Sequence, residues 1–293
     1  MRGTEDNNNI MYAKKSLGQN FLNSKTVAHD IVRAAELIPA DTVLEIGPGK
    51  GFLTEELIAS GAHVIAVEKD DRMIPLLTEK FAEAIAQNRF TLIHGDIVEL
   101  IEKGPPFFWE KGGPFSGYKI VANIPYYLTG YLVRVFLEAP SKPERMILML
   151  QKEVADRIVA ELASSRLGRR IKKESILSIA VKVYGTPRIV KKVPARYFTP
   201  APKVDSAVLA IEHISNKNFT EHGIDEKSFF EIVRTGFAHK RKKLAGNLKE
   251  ILGGRTSEIL EKAGVSKDAR AEDITLSDWI AIVKCLLQES PLK

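Results

Sequence analysis

Between residues 42 and 150 the chain alternates short β-branched or aliphatic runs with stretches of helical spacing. No other feature of the sequence restricts the fold so strongly. Residues 42–46, 63–68, 90–94, 118–122 and 146–150 read as strands, and 53–60, 72–84, 128–138 and 152–162 as the helices between and after them. Strands joined through helices pair in parallel, so an α/β fold is expected, its mostly parallel sheet covered on both faces. Residues 176–184 and 204–211 read as two more strands, the second pairing antiparallel late in the sheet. Ahead of the first strand, Asn23 or Ser24 can cap a helix running to about Leu37, with Val27, Ile31, Ala34, Ala35 and Ile38 on one face.

Past residue 212 the pattern turns to helices alone. Phe229, Ile232, Val233 and Phe237 recur at helical spacing, as do Trp279, Ile282, Val283 and Leu286, and Thr275 with Asp278 suits a capping box for the last helix. The expected organisation is a disordered tail over 1–11, a large α/β domain over 12–212 and a small all-α domain over 213–293. A length of 293 residues, 44% hydrophobic and 27% charged, can fill both cores. The Gly/Pro-punctuated stretch 104–114 reads as a loop packed on the body.

No apolar run, 146–150 included, is long enough to span a membrane, and residues 1–10 hold no apolar signal core. The lone Cys285 permits neither an internal disulfide nor a thiolate metal site, and a cytoplasmic location is expected. The six histidines lack ligand spacing, so no metal is expected. Formal net charge is +6, but its distribution says more. From Arg166 to Lys203 there are eleven Lys or Arg against one acid, Glu174, and a second cluster is His239-Lys-Arg-Lys-Lys243. Charge runs are ordinarily solvated surface. Ten excess positive charges in one segment point beyond that, to a polyanionic partner.

Glu45-Ile-Gly-Pro-Gly-Lys-Gly51 ends the first strand of the alternation and opens a helix. Glycines here allow a tight turn and close approach of a ligand to the backbone. A dinucleotide fingerprint needs glycine where the chain has Phe52, and no Gly-Lys-Ser/Thr phosphate loop is present. Glu68, closing the next strand, is placed to accept from both hydroxyls of a ribose, and Asp96, after the one following, from an adenine amino group. This combination predicts a site for S-adenosylmethionine. Asn123-Ile-Pro-Tyr126 ends the fourth strand, where open α/β sheets place their chemistry. An Asn oxygen and a backbone carbonyl can grip an exocyclic amino group, and Tyr126 can stack on the base that bears it. The plainer reading is a strand-end turn with a structural Asn and Pro. The glycine motif upstream favours methyl transfer to a base nitrogen.

Five ordered motifs carry a resemblance: Leu17-Gly-Gln-Asn-Phe-Leu22, Glu45-Ile-Gly-Pro-Gly49, Asn123-Ile-Pro-Tyr126, Gln151-Lys-Glu-Val-Ala155 and Phe198-x-Pro-x-Pro-Lys-Val-Asp-Ser206. Together they resemble the rRNA adenine N6,N6-dimethyltransferase family, from about residue 12 to the end. The closest match is to its bacterial small-subunit (16S) branch. The stretch 237–248 is similar to the start of that family's helical C-terminal domain. The resemblance implies a Rossmann-like S-adenosylmethionine-dependent sheet with Asn20, Leu22, Gly47, Gly49, Glu68, Asp96 and Asn123 at the cofactor. It implies Asn123 and Pro125 on the target amino group, and Tyr126 and Phe198 sandwiching an unpaired adenine. RNA would lie on Arg169, Arg170, Lys172, Lys173, Lys191, Lys192, Lys203, Lys240, Arg241, Lys242 and Lys243. One departure stands out. Where the family carries Tyr-Gly-Arg-Leu-Ser entering a strand, this chain has Glu174-Ser-Ile-Leu-Ser178 after an unusually basic Arg169-Arg-Ile-Lys-Lys173.

The function expected is dimethylation of two adjacent adenosines near the 3′ end of 16S rRNA, on an immature small subunit, by a monomer. A 23S rRNA adenine methyltransferase of the macrolide-resistance kind shares the site motifs. The Val-Asp-Ser end of the 198–206 motif and the basic C-terminal helix favour the small subunit. A non-catalytic assembly factor is the reading of a different class, and the intact motifs argue against it.

Overall fold

The expected alternation builds the sheet. In the computed structural model, which describes residues 13–14, 17–102, 117–160 and 173–289, the strands are β1 (Phe21–Leu22), β2 (Thr42–Ile46), β3 (His63–Glu68), β4 (Phe90–His94), β5 (Tyr118–Asn123), β6 (Arg145–Gln151), β7 (Thr186–Val193), β8 (Phe198–Thr199) and β9 (Ser206–Glu212). Seven of them form one sheet in the order β4–β3–β2–β5–β6–β9–β7. Pairing is parallel from β4 through β6, and β9 runs antiparallel between β6 and β7, as the sequence suggested. The strand order reverses at β2, whose neighbours are β3 and β5. Such switch points leave a crevice at the carboxyl ends of the strands. The two-residue β1 and β8 pair separately and tie the N-terminal segment to the 198–206 motif.

Ser24 is the N-cap of the first helix, Lys25–Ala35; its side chain accepts from the Val27 N–H. The expected helix over 72–84 is two, Met73–Lys80 and Ala82–Ala86, broken at Phe81, whose ring meets Phe90 edge-on at 5.1 Å. The loop at 104–114, the tail at 1–11 and the basic residues 166, 169, 170 and 172 lie outside the described residues.

Residues 176–184, expected as a strand, are a helix, Ile176–Tyr184. Two features decide it. Ser175 and Ser178 form a reciprocal cap, Ser178 N–H to Ser175 Oγ at 3.1 Å and Ser175 N–H to Ser178 Oγ at 2.7 Å. Ile179, Ala180, Val183 and Tyr184 then bury on one face at helical spacing. The departure from the family run thus reads as a helix start. The strand in this region is β7, hidden in the sequence because an edge strand rich in Arg188, Lys191 and Lys192, with a register shift between Ile189 and Lys191, loses the simple alternation.

Past β9, Lys217–His222, Glu226–Gly236, Leu244–Leu252, Thr256–Lys262 and Leu276–Glu289 are helical. The capping box forms as expected: Thr275 N–H to Asp278 Oδ2 is 2.6 Å and Asp278 N–H to Thr275 Oγ1 is 3.2 Å. Gly236 is needed for contact, since a Cβ there would lie 2.3 Å from Trp279 Cη2. Phe219 and Phe230 pack with Tyr184 and Phe229 with Phe219, and a single buried cluster runs from the sheet into these helices.

Candidate active site

At the carboxyl ends of β2, β3 and β5 the backbone encloses a cavity of about 360 Å³, within the usual size for a small-molecule site. Residues 17–22, the Glu45–Gly49 turn, Glu68, Asp96 and Asn123–Leu128 all line it. Every cofactor residue expected from the sequence therefore lines this one cavity: Asn20, Leu22, Gly47, Gly49, Glu68, Asp96 and Asn123.

The glycine turn works through its backbone. Gly49 has φ +58°, and a Cβ there would come within 2.9 Å of the Phe21 ring, so the turn and the N-terminal segment can close together only without a side chain. Gly49 N–H donates to Glu68 Oε2 at 2.9 Å and Asp70 N–H to Oε1 at 2.7 Å. These bonds aim the Glu68 carboxyl along the cavity wall. Burial pushes its pKa up, and the two backbone donors pull against that. Asp96 balances the other way. Burial works against its charge, but the Lys69 ammonium at 2.6 Å and the Val98 N–H hold its pKa below the ordinary value.

Beneath the glycine turn Glu45 is 1% exposed, and its carboxylate accepts from the Thr54 hydroxyl at 2.7 Å. Burial pushes its pKa up to about 8, the Thr54 bond opposes this, and the nearby Glu68 charge adds to it.

The N-terminal segment is held over the cavity by a residue that sequence reasoning missed. Asp70, its side chain fully buried, accepts from Lys14 Nζ at 3.1 Å, Gln19 Nε2 at 2.8 Å, and Arg72 Nε at 2.9 Å and Nη2 at 2.6 Å. Led by Arg72, these donors hold its carboxyl far below the usual range. Its position two residues after Glu68 was the only signal available, because Lys14 and Gln19 lie more than fifty residues away in sequence.

Asn123 ends β5. Its Nδ2 donates to the Asn20 carbonyl at 3.1 Å, leaving Oδ1 without a partner among the described residues. Pro125 lines the same wall; its carbonyl accepts from Leu128 N–H at 2.9 Å and keeps a second lone pair. Tyr126 is half-buried, and its hydroxyl shares a hydrogen bond of 2.9 Å with Ser206 Oγ. That contact joins the Asn-Ile-Pro-Tyr motif to the end of the 198–206 motif. Phe198 is not brought to the cavity. It is 4% exposed and packs among Leu22, Val193 and Val208.

Of the expected RNA contacts, Lys191 pairs with Asp30, Lys173 with Glu272, and Lys243 with Asp268 at 2.6 Å. Lys192, Lys203, Lys240, Arg241 and Lys242 are exposed and have no ion-pair partner among the described residues. Asn247 organises the basic turn from below, donating to the carbonyls of Gly236 at 2.6 Å and His239 at 3.2 Å. Among the described residues no cluster of three or more His, Cys, Asp or Glu is placed to hold a metal ion, and no helix is long and apolar enough to cross a membrane.

A mostly parallel sheet with a glycine turn, two strand-end acids and an amide at the switch point defines a Rossmann-like methyltransferase that uses a methyl donor of the S-adenosylmethionine type. The comparisons carry this further. The family model described as ribosomal RNA adenine dimethylase matches residues 10–288, and the chain belongs to that family. Relatives include the Ribosomal RNA small subunit methyltransferase A of Dehalococcoides mccartyi, 41% identical over 91% of this chain and 86% of that protein. That of Thermosynechococcus vestitus is 37% identical over 95% and 98%. Among solved structures, the 23S rRNA methyltransferase ErmE is 26% identical with a TM-score of 0.67, covering 91% of this chain and 99% of that one. A dimethyladenosine transferase from Plasmodium falciparum shares the fold, with a TM-score of 0.68 at 23% identity over 92% and 98%.

Proposed function

We propose that this protein transfers methyl groups from S-adenosylmethionine to N6 of two adjacent adenosines near the 3′ end of 16S rRNA. It acts as a cytoplasmic monomer, without a metal, on the immature small subunit. The observation that carries the reading is the Asn123–Asn20 bond: with Nδ2 held by a backbone carbonyl, Oδ1 is the atom left to accept from a substrate N–H. The relatives named for the small subunit support that subunit as the target.

Glu68 holds the ribose hydroxyls of the donor, Asp96 its adenine amino group, and Asn20, Leu22, Gly47 and Gly49 the surrounding wall. When bound, the donor supplies an electrophilic methyl on a sulfonium. The adenine amino group is a poor nucleophile because its lone pair is delocalised into the ring. Asn123 Oδ1 and the Pro125 carbonyl accept its N–H bonds and turn the lone pair toward the methyl, while Tyr126, braced by Ser206, supports the base. Transfer would form the N–C bond as the donor's S–C bond broke and would release the proton to water afterwards, so the part left to these residues is positioning. Phe198 closes the second face of the adenine in this reading, which asks β8 to open on binding. The helices of 213–293 form the RNA-binding domain. Lys192, Lys203, Lys240, Arg241 and Lys242 offer the free cations, with Arg169, Arg170 and Lys172 nearby in sequence.

Asn123→Ala is expected to lower methylation of purified immature small subunits about 100-fold or more while subunit binding persists. Full methylation by the variant sinks the amino-group clamp. A wild-type protein that binds subunits without methylating them returns the assembly-factor reading. Preference for large subunits supports the ErmE-like alternative, which the structural likeness keeps in view.

A further inference from the structure

Tyr127 follows the Asn-Ile-Pro-Tyr motif and has no part in the mechanism above. Its side chain is a large hydrophobic group left 62% exposed. A lone exposed aromatic on an open surface means little. This one lines the cavity beside Asn123, and its backbone is fixed in a 3-10 turn over Tyr126–Leu128 that starts from Pro125. The ring lies beside Gly18, with room for no more than a methyl group between them: a Cβ built there would lie 3.4 Å from Tyr127 Cε1. The ring thus stands beside the N-terminal segment that Asp70 holds in place.

The other aromatics lining the cavity, Phe21, Phe52 and Tyr126, are less exposed, and Phe198 lies outside it. The Tyr126 hydroxyl is bound to Ser206 and Phe198 is buried. One ring at the rim therefore combines a fixed backbone with a solvent-facing surface, and it stands one residue beyond the group that meets the target base. We infer that Tyr127 is a stacking platform for an unpaired base of the substrate RNA, the nucleotide flanking the adenosine being methylated. It is a substrate-positioning residue that keeps the strand splayed while the amino group reaches Asn123. This inference rests on the reading of the site as an adenine methyltransferase.

The experiment compares wild type, Tyr127→Ala, Tyr127→Phe and Tyr127→Trp on small subunits lacking the modification. It reads kcat/KM for the subunit, and donor affinity separately by calorimetry. Base–aromatic stacking is worth about 1–3 kcal/mol, so the alanine variant is expected to lose about 5- to 150-fold in kcat/KM. Its donor Kd should stay within about twofold of wild type, and Phe and Trp, which keep a π-face, should restore most of the rate. An alanine variant as efficient as wild type overturns the inference. So does a parallel loss of donor affinity, which would make Tyr127 a wall of the donor cavity, or a phenylalanine variant as poor as alanine. A wild-type protein inactive on these subunits instead overturns the reading of the site itself, and is separable because it precedes any comparison of variants.

Discussion

Glu45 shows how far a single buried residue can be pushed by a site built for a ligand. An unfolded glutamate titrates near about 4.3, whereas burial raises Glu45 to about 8. Between those values the folded state keeps a proton that the unfolded chain has lost, so this group makes stability fall as pH rises from about 4 to 8. Glu45→Gln should remove that share of the slope. Urea midpoints of both proteins at pH 5 and pH 8 measure it, and an unchanged difference between the two pH values would count against an acid that is neutral when buried. Asn123, Glu68 and Asp96 were legible at this scale because strand-end positions fix where a side chain can reach. Tyr127 and Asp70 were not, since exposure and distant partners leave no trace in local spacing.

The elements around the cavity depend on one another. The segment 17–22 has almost no regular structure, and β1 is two residues long, yet it forms one wall of the site. What holds it is Asp70 with Lys14, Gln19 and Arg72, a carboxylate whose pKa is depressed and whose stabilisation is therefore present above about pH 4 and lost as pH falls below it. Asp70→Asn should loosen this wall and weaken donor binding by about tenfold, the scale of a lost charge-assisted hydrogen bond. Calorimetric titration at neutral pH measures it, and an unchanged Kd would mean that β1–β8 pairing alone keeps the segment closed. The helix at Ile176–Tyr184 carries the complementary lesson. Its β-branched residues read as a strand by composition, but two serines at its start and a buried face at helical spacing outweigh that preference. A cap and a packing partner are stronger than propensity.

For the molecule as a whole, binding of the RNA through exposed lysines predicts a steep salt dependence. Lys240→Ala and Lys242→Ala should each lower the slope of log K against log salt by about one unit and weaken binding to all RNAs alike. Filter binding of subunits across a salt series measures this, and an unchanged slope would remove the basic turn from the footprint. At this scale the domain division expected at residue 212 marks a change of topology, while the buried cluster through Tyr184, Phe219 and Phe230 continues across it. The sequence by itself determined the parallel sheet, the glycine turn and the strand-end acids and amide, because these follow from local periodicity and from where chains must turn. The tertiary structure alone decided which side-chain atom of Asn123 is occupied, what pins the N-terminal segment, that Phe198 is buried and that Tyr127 is open. Those depend on contacts between residues far apart in the chain, and no local pattern encodes them.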